Sequence, residues 1–271
     1  MRATSPGVHL LSCPGVVESL IRHAGVGPGD LVIDFGAGPG TITAPLAATG
    51  ARVLAVERDD AFVEVLHRRF GSSVRVVHGD LRRVPLPRRG FAVVSSIPFA
   101  VSTPLLRRLL SPVPVRLRRA ELVVEWGLAR RLTSARPRSR ESAWWAARHE
   151  LRLVRRVPAR CFSPAPSVDA AHLSVRPRSG SDTRAAAVLW ALLGFAYGEP
   201  PLPARRVVAA LAGDRAGRRV LRQAGVDPGS AATEVGVGDW ARVASVLARQ
   251  SGVVAPRLPR ALRESTVDRG R

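Results

Sequence analysis

The chain has 271 residues, 46% of them hydrophobic, enough for one good core and a second small domain. Its 42 basic residues, every one an arginine, outnumber 21 acids for a net charge of +21, which points to a polyanion and most commonly to nucleic acid. No apolar run reaches the ~18 residues of a membrane span, no leader pattern opens the chain, and Cys13 and Cys161 lack metal-ligand spacing, so a reduced, cytoplasmic, metal-free protein is expected.

Taken in order, residues 14–24 read as a helix with Val16, Val17, Leu20 and Ile21 on one face, and 31–35 as a buried strand. A glycine-rich turn leads into a helix at 41–48, and 52–57 is a second strand. Asp59 or Asp60 caps a helix to about Phe70 whose apolar side carries Phe62, Val63, Leu66 and Phe70. Strands follow at 74–77, 91–95 and 121–125, with helices at 103–110 and from the last strand through Leu132. Strands alternating with helices predict an α/β fold with a mostly parallel sheet. Residues 133–140 read as a mobile arginine-rich loop, and 151–157 with 170–175 as an antiparallel edge pair. After a linker at 176–182, helices are predicted at 183–196, 204–211, 217–224 and 239–250, and the tail from Ser251 as polar and frayed. The domains so read are 1–178, 179–250 and a flexible basic tail, 251–271.

"DFGAGPG", residues 34–40, lets backbone pack tightly against a ligand at the end of the first long strand. A dinucleotide fingerprint would need its third glycine at position 41, which is Thr41, and a phosphate-binding P-loop needs a lysine the chain lacks. What remains is a plain tight turn or the G-x-G-x-G turn of S-adenosylmethionine-dependent methyltransferases, with Gly36 and Gly38 at the cofactor. Glu57, closing the second strand about 20 residues on, is placed to accept from ribose hydroxyls. Asp80, in "HGD" after the third strand, is placed to meet an adenine amino group. Singly, each acid also reads as a surface or turn residue; together, at strand C-terminal ends, they favour an adenosine cofactor.

"SSIPF", residues 95–99, then ends a strand beside that crevice. An exocyclic adenine amine is a poor nucleophile because its lone pair is donated into the ring. Acceptors on its N–H groups localise the pair and aim it. Ser96 with the proline-fixed backbone of Ile97 and Pro98 supplies such acceptors, and Phe99 a ring on which an unstacked base can rest. The alternative is a kinked strand end with Phe99 in the core.

With these residues in view, the chain resembles the rRNA adenine N6-methyltransferase family, which includes the macrolide-resistance (Erm) enzymes and the small-subunit dimethyladenosine transferases. "SSIPF" resembles the family's Asn-Ile/Leu-Pro-Tyr/Phe, "GVHLL" (7–11) its N-terminal cofactor segment, and "CFSPAPSVD" (161–169) its Phe-x-Pro-x-Pro-x-Val-Asp loop. The likeness covers roughly 7–176 and implies a Rossmann-like methyltransferase domain with a small α-helical C-terminal domain that helps hold RNA. It implies S-adenosylmethionine against His9, Leu11, Gly36, Gly38, Glu57, Asp80 and Ser96, and the acceptor adenine against Ser96, Ile97, Pro98 and Phe99. Ser96 replaces the family's asparagine, a shorter side chain with one hydroxyl, which bears on rate and on whether a second methyl is added.

Arg116, Arg118 and Arg119, then Arg136, Arg138 and Arg140, with further arginines at 148–160, are read as phosphate contacts flanking the acceptor face. Trp144 and Trp145, within this basic region, are read as core, with stacking of one of them on an unpaired base as the alternative. The expected activity is N6-methylation of a ribosomal RNA adenine by a monomer, with the large-subunit, macrolide-resistance branch first and the small-subunit branch second. A catalytically weak RNA-binding relative and a small-molecule methyltransferase are the competing classes.

Overall fold

Leu10–Leu11 forms a two-residue strand, β1, and Pro14–Ala24 a helix, α1, whose Val16, Val17 and Leu20 are buried. Proline opens α1, and Gly25 closes it in the left-handed region at φ 51°. The protein, a computed structural model, is described over residues 9–114, 116–178, 182–250, 252–253 and 255–263. Next come β2 (Leu31–Phe35), α2 (Thr43–Ala48), β3 (Arg52–Glu57), α3 (Asp60–Phe70), β4 (Arg75–His78), β5 (Phe91–Ser96) and α4 (Ser102–Leu110). β6 (Leu117–Glu125), α5 (Trp126–Leu132), α6 (Arg140–Arg148), β7 (His149–Val157), β8 (Phe162–Ser163) and β9 (Ala170–Pro177) follow.

The main sheet runs β4-β3-β2-β5-β6-β9-β7. β4, β3, β2, β5 and β6 are parallel neighbours, and β9 lies antiparallel to β6. Strand order reverses between β2 and β5, the point where open α/β sheets leave a crevice beyond their strand ends. β2 and β5 are buried almost throughout, as near-continuous apolar runs covered on both faces must be. Asp59 caps α3 by accepting from the amides of Ala61 and Phe62.

The second compact unit comprises 111–114, 132–150 and 178–271, so the chain passes between the two units more than once. It holds α6 and four further helices: α7 (Thr183–Ala196), α8 (Ala204–Ala212), α9 (Asp214–Gln223) and α10 (Val237–Ala248). Trp144 and Trp240 are fully buried there, and Trp144 and Trp145 donate to the carbonyl and hydroxyl of Ser111.

Three expectations change, and one helix lies where none was expected. The loop read at 133–140 ends at Ser139, and residues 140–148 are helical, started by Ser139, whose hydroxyl and backbone exchange hydrogen bonds with Ser142 in a capping box built without the usual glutamate. α9 begins three residues before the predicted position, at Asp214. The segment after 251 is not frayed where described: Val253, Leu258 and Leu262 are buried, and Val113 N–H donates to the Leu262 carbonyl at 2.8 Å. Residues 264–271 lie outside the described residues. Lastly, Cys13 and Cys161 are joined in a disulfide across 148 residues of sequence, where free thiols are expected from the composition.

Candidate active site

The turn after β2 is set by glycines. Gly36, Gly38 and Gly40 all have positive φ, and the amides of Gly36 and Ala37 donate to the Val56 carbonyl at 2.8 and 3.2 Å. A Cβ at Gly40 would stand 2.7 Å from the Phe70 ring, and at Gly36 3.4 Å from Pro98 Cδ, so the turn closes against both α3 and the corner after β5.

Glu57 is fixed by three backbone donors. Its Oε2 accepts from Gly38 at 2.8 Å, and its Oε1 from Arg58 at 2.7 Å and Asp59 at 3.0 Å. A carboxylate offers about four acceptor positions. One therefore remains, on Oε2, so Glu57 as held here has room for one ligand hydroxyl rather than the two expected. Below it, Asp34 is buried, with Oδ2 accepting from the Thr43 hydroxyl at 2.7 Å and Oδ1 without a partner. Burial pushes the Asp34 carboxyl up to about 7; the Thr43 bond lowers it and the Glu57 charge adds to the rise.

Alternation along β5 separates the two serines. Ser95 is buried and its hydroxyl oxygen accepts the Phe35 amide at 2.8 Å, tying β5 to β2, whereas Ser96 lines the crevice. The corner beyond is stiff: Pro98 O accepts from Val101 at 3.0 Å, and the Ser102 amide donates to Phe99 O. The half-buried Phe99 ring meets Phe162 edge to face at 6.4 Å between centroids and His9 at 6.3 Å.

β1 pairs with β8, setting Leu10 opposite Ser163 and Leu11 opposite Phe162. His9 Nδ1 lies 2.8 Å from the Pro164 carbonyl, so that nitrogen carries the proton and donates. This pairing and the adjoining disulfide hold the N-terminal segment and the proline-rich loop together.

One crevice of about 710 Å³ gathers His9, Gly36, Gly38, Glu57, Asp80, Ser96, Ile97, Pro98 and Phe99. Leu11 is not among its lining; it is 5% exposed in the core, and Leu10 takes its place at the wall. The reason is the two-residue alternation of β1. Asp80 is at the crevice, but Arg82 holds it through its backbone amide at 2.8 Å and its guanidinium at 2.5–3.0 Å. These hydrogen bonds bring the Asp80 carboxyl down to about 2. The lining also includes residues not expected at the site, among them Leu10, Arg58, Phe62 and Phe162; the signal for Phe162 was the aromatic opening the Phe-x-Pro-x-Pro loop.

The arginines divide. Arg119 donates to the carbonyls of Ala24 and Gly25, closing the C-terminal end of α1, and Arg118 packs over Gly90. Arg140 stacks 3.7 Å above the Trp190 ring and donates to the Trp190 carbonyl at 2.7 Å. Arg148 is buried over Trp144 and donates to Ser111 and Pro112, and burial takes its guanidinium down to about 10. Arg119 and Arg140 thus have structural engagements where phosphate contacts were expected, whereas Arg116, Arg118, Arg136 and Arg138 are exposed. Arg116 and Arg118 belong to the first compact unit, Arg136 and Arg138 to the second.

Residues 3–192 match the family described as ribosomal RNA adenine dimethylase. The chain belongs to this family. It is 33% identical to an rRNA adenine N-6-methyltransferase of Bacillus licheniformis over 64% of its own length and 62% of that protein's, so it spans about 62% of that relative. It is 36% identical to the mycinamicin-resistance protein MyrB of Micromonospora griseorubida, covering 83% of this chain and 70% of that one. Its fold is similar to the crystal structure of the 23S rRNA methyltransferase ErmE, with a TM-score of 0.75, 23% identity, and coverage of 87% and 98%. No helix among the described residues is long and apolar enough to cross a membrane, and no cluster among them has the groups to hold a metal.

The family's cofactor is S-adenosylmethionine, and the residues fit it. The crevice volume lies in the range of small-molecule sites. At Gly36 and Gly38 a positive φ, strained for any L side chain, brings bare backbone to the crevice, and Glu57 keeps one directed acceptor position beside that turn.

Proposed function

We propose that this chain transfers a methyl group from S-adenosylmethionine to the N6 amine of an adenine in ribosomal RNA, and that its target lies in large-subunit RNA. The observation that carries this is the join of two parts at the β2/β5 reversal: a glycine turn, and packed so closely against it that a Cβ on Gly36 would stand 3.4 Å from Pro98 Cδ, a proline-stiffened corner carrying Ser96 and Phe99. The basic surplus supports a nucleic-acid substrate over a small molecule. A relative named for mycinamicin resistance supports a resistance role.

In this reading Gly36, Gly38 and the free position on Glu57 Oε2 hold the cofactor, with His9 and Leu10 as a wall. The cofactor supplies an electrophilic methyl on sulfonium. The chain supplies position and electrostatics: the flipped adenine stacks on Phe99, with Phe162 behind it, and Ser96 Oγ with the Ile97 carbonyl accepts from its amine. As the amine nitrogen takes the methyl, the S–CH3 bond would break with its electron pair returning to sulfur, S-adenosylhomocysteine would leave as the neutral thioether, and the nitrogen would become cationic; oxygen acceptors stabilise that charge. Its proton then leaves to water, so no buried base is required. Asp80 joins only after exchanging Arg82 for the ligand. The reading carries with it a monomer working in the cytoplasm.

The test is methyl-labelled cofactor incubated with purified protein and unmodified 23S or 16S RNA, followed by nucleoside mass analysis. Label in N6-methylated adenosine from 23S RNA is expected. Label confined to 16S RNA would move the target to the small subunit, and no label in either would remove the activity.

A further inference from the structure

The chain has two cysteines, Cys13 and Cys161, and their disulfide reaches the crevice from both sides. Cys13 ends the segment that carries His9 and Leu10 of the crevice wall. Cys161 immediately precedes Phe162, which lines the crevice and meets the Phe99 ring edge to face. The bond thus joins the wall proposed for the cofactor to the ring that backs the base.

The noncovalent ties between the two segments are few. β1 and β8 pair over two residues each, a ladder too short to hold by itself. The Ser12 amide and hydroxyl donate to the Cys161 carbonyl at 2.8 and 3.1 Å, and His9 Nδ1 donates to the Pro164 carbonyl at 2.8 Å. Each such bond contributes about 1 kcal/mol net. Leu11 and Phe162 add their burial in the core. With the disulfide open, the placing of His9 and Leu10 rests on these contacts alone. Cys13 is the more accessible partner, half-buried where Cys161 is 6% exposed, so a thiolate from solution meets it first. In a cytoplasm, small thiols keep cysteines reduced, and the disulfides of its proteins are characteristically transient and redox-sensing.

We infer that the Cys13–Cys161 pair is a redox modification site that sets the protein's affinity for its cofactor. Closed, the bond holds the wall in its binding shape; opened by a small-molecule thiol, it releases residues 9–12 and the turn before Phe162. Affinity then rises as the surrounding thiol pool becomes more oxidised. This rests on the reading of the crevice as an S-adenosylmethionine site in a cytoplasmic protein, and adds the condition under which that site is fully formed. In the opening step a thiolate attacks Cys13 Sγ, and the S–S electron pair passes to Cys161 Sγ, which takes a proton. A second thiol displaces Cys13 from the mixed disulfide, and Cys13 Sγ takes a proton in turn. The protein gains two thiols, and the two small thiols leave as one disulfide. Linkage makes the effect reciprocal: bound cofactor protects the disulfide by the same factor that the disulfide adds to binding.

The experiment is calorimetry with S-adenosylhomocysteine on the full chain as oxidised, after reduction by dithiothreitol, and after reoxidation with oxidised glutathione. Reduction is expected to weaken binding about tenfold, within the usual range of coupling between sites, and reoxidation to restore it. Cys13→Ser should bind as the reduced protein does and respond to neither reagent. In glutathione buffers, saturating S-adenosylhomocysteine should raise about tenfold the ratio of squared glutathione to oxidised glutathione at which half the protein is reduced. Hydrogen exchange should quicken on reduction at 9–12 and 158–164 and stay unchanged in β2 and β3. Equal affinity before and after reduction would overturn the proposal, as would an unmoved glutathione midpoint; the bond would then support the fold alone. Global unfolding on reduction, read by circular dichroism, would overturn it as well, because the bond would then hold the whole fold rather than the wall. All three outcomes leave the crevice reading standing. S-adenosylhomocysteine bound by neither form would overturn that reading and this inference with it.

Discussion

The amide of Gly38 donates to Glu57 Oε2 at 2.8 Å, so the turn after β2 and the acid closing β3 form one rigid piece of the crevice wall. Because Oε1 is already taken by Arg58 and Asp59, the ligand and Gly38 share the remaining oxygen. Glu57→Ala is expected to weaken S-adenosylhomocysteine binding ten- to a hundredfold by calorimetry, the equivalent of one charge-assisted hydrogen bond at roughly 1.5–3 kcal/mol. Glu57→Gln should do no better: its amide nitrogen cannot accept on one of the two sides that face donors. Wild-type affinity in the glutamine variant would show that the carboxylate is not used as described.

Asp34 makes stability depend on pH. Its carboxyl stands at about 7 in the fold against 3.8 for a free aspartate. The folded state therefore holds its proton more tightly than the unfolded chain. The contribution is fully present below about pH 4 and is lost as pH rises through 7, a difference on the order of 4 kcal/mol. Urea titrations of Asp34→Asn and the parent protein should diverge between pH 4.5 and 7, with the asparagine variant losing less as pH rises. Parallel curves would mean that Asp34 is ionised in the fold.

Phe99 and Phe162 stand edge to face, and both border the crevice. Stacking on an aromatic ring contributes roughly 1–3 kcal/mol per base. Phe99→Ala should lower kcat/KM for RNA by about five- to a hundredfold while cofactor affinity stays within twofold. An unchanged rate would return Phe99 to a packing role.

Much of this was legible in the residues. The bounds of α1, β2, β3 and α7 follow from apolar periodicity and from Pro14, Gly25 and Asp182 at their ends. The crevice was legible because glycine at 36 and 38, acid at 57 and proline at 98 each have a local physical reason. What stayed hidden depends on distant contacts. Nothing near Leu11 says that its pairing with Phe162 turns it inward, and nothing near Arg119 says that it reaches the end of α1. The meeting of Cys13 with Cys161 is likewise a product of the β1–β8 pairing. In a chain whose every cation is arginine, type alone cannot separate a buried clamp such as Arg148 from a free surface charge.

The disulfide gives a direct chemical check. Unfolded under non-reducing conditions, the protein should show no thiol to Ellman's reagent, and two after reduction. By loop-closure entropy a cross-link over 148 residues contributes up to about 5 kcal/mol, so reduction should lower the unfolding midpoint. Two thiols before reduction would show that Cys13 and Cys161 are not joined.

Ser96 stands where the motif this chain resembles has asparagine, and it borders the crevice beside Phe99. Ser96→Asn should give equal or higher methyl transfer, since asparagine offers a longer-reaching carbonyl acceptor for the amine. Abolished transfer, with cofactor binding intact, would mean that the base enters this corner in another orientation.

Donor and base must meet at the β2/β5 reversal, and a crystal structure with S-adenosylhomocysteine bound tests that most directly. The predicted result is the ligand in the 710 Å³ crevice, with a ribose hydroxyl on Glu57 Oε2 and its sulfur directed toward Ser96 and Phe99. A ligand lodged elsewhere, or one whose sulfur faces away from that corner, would contradict it.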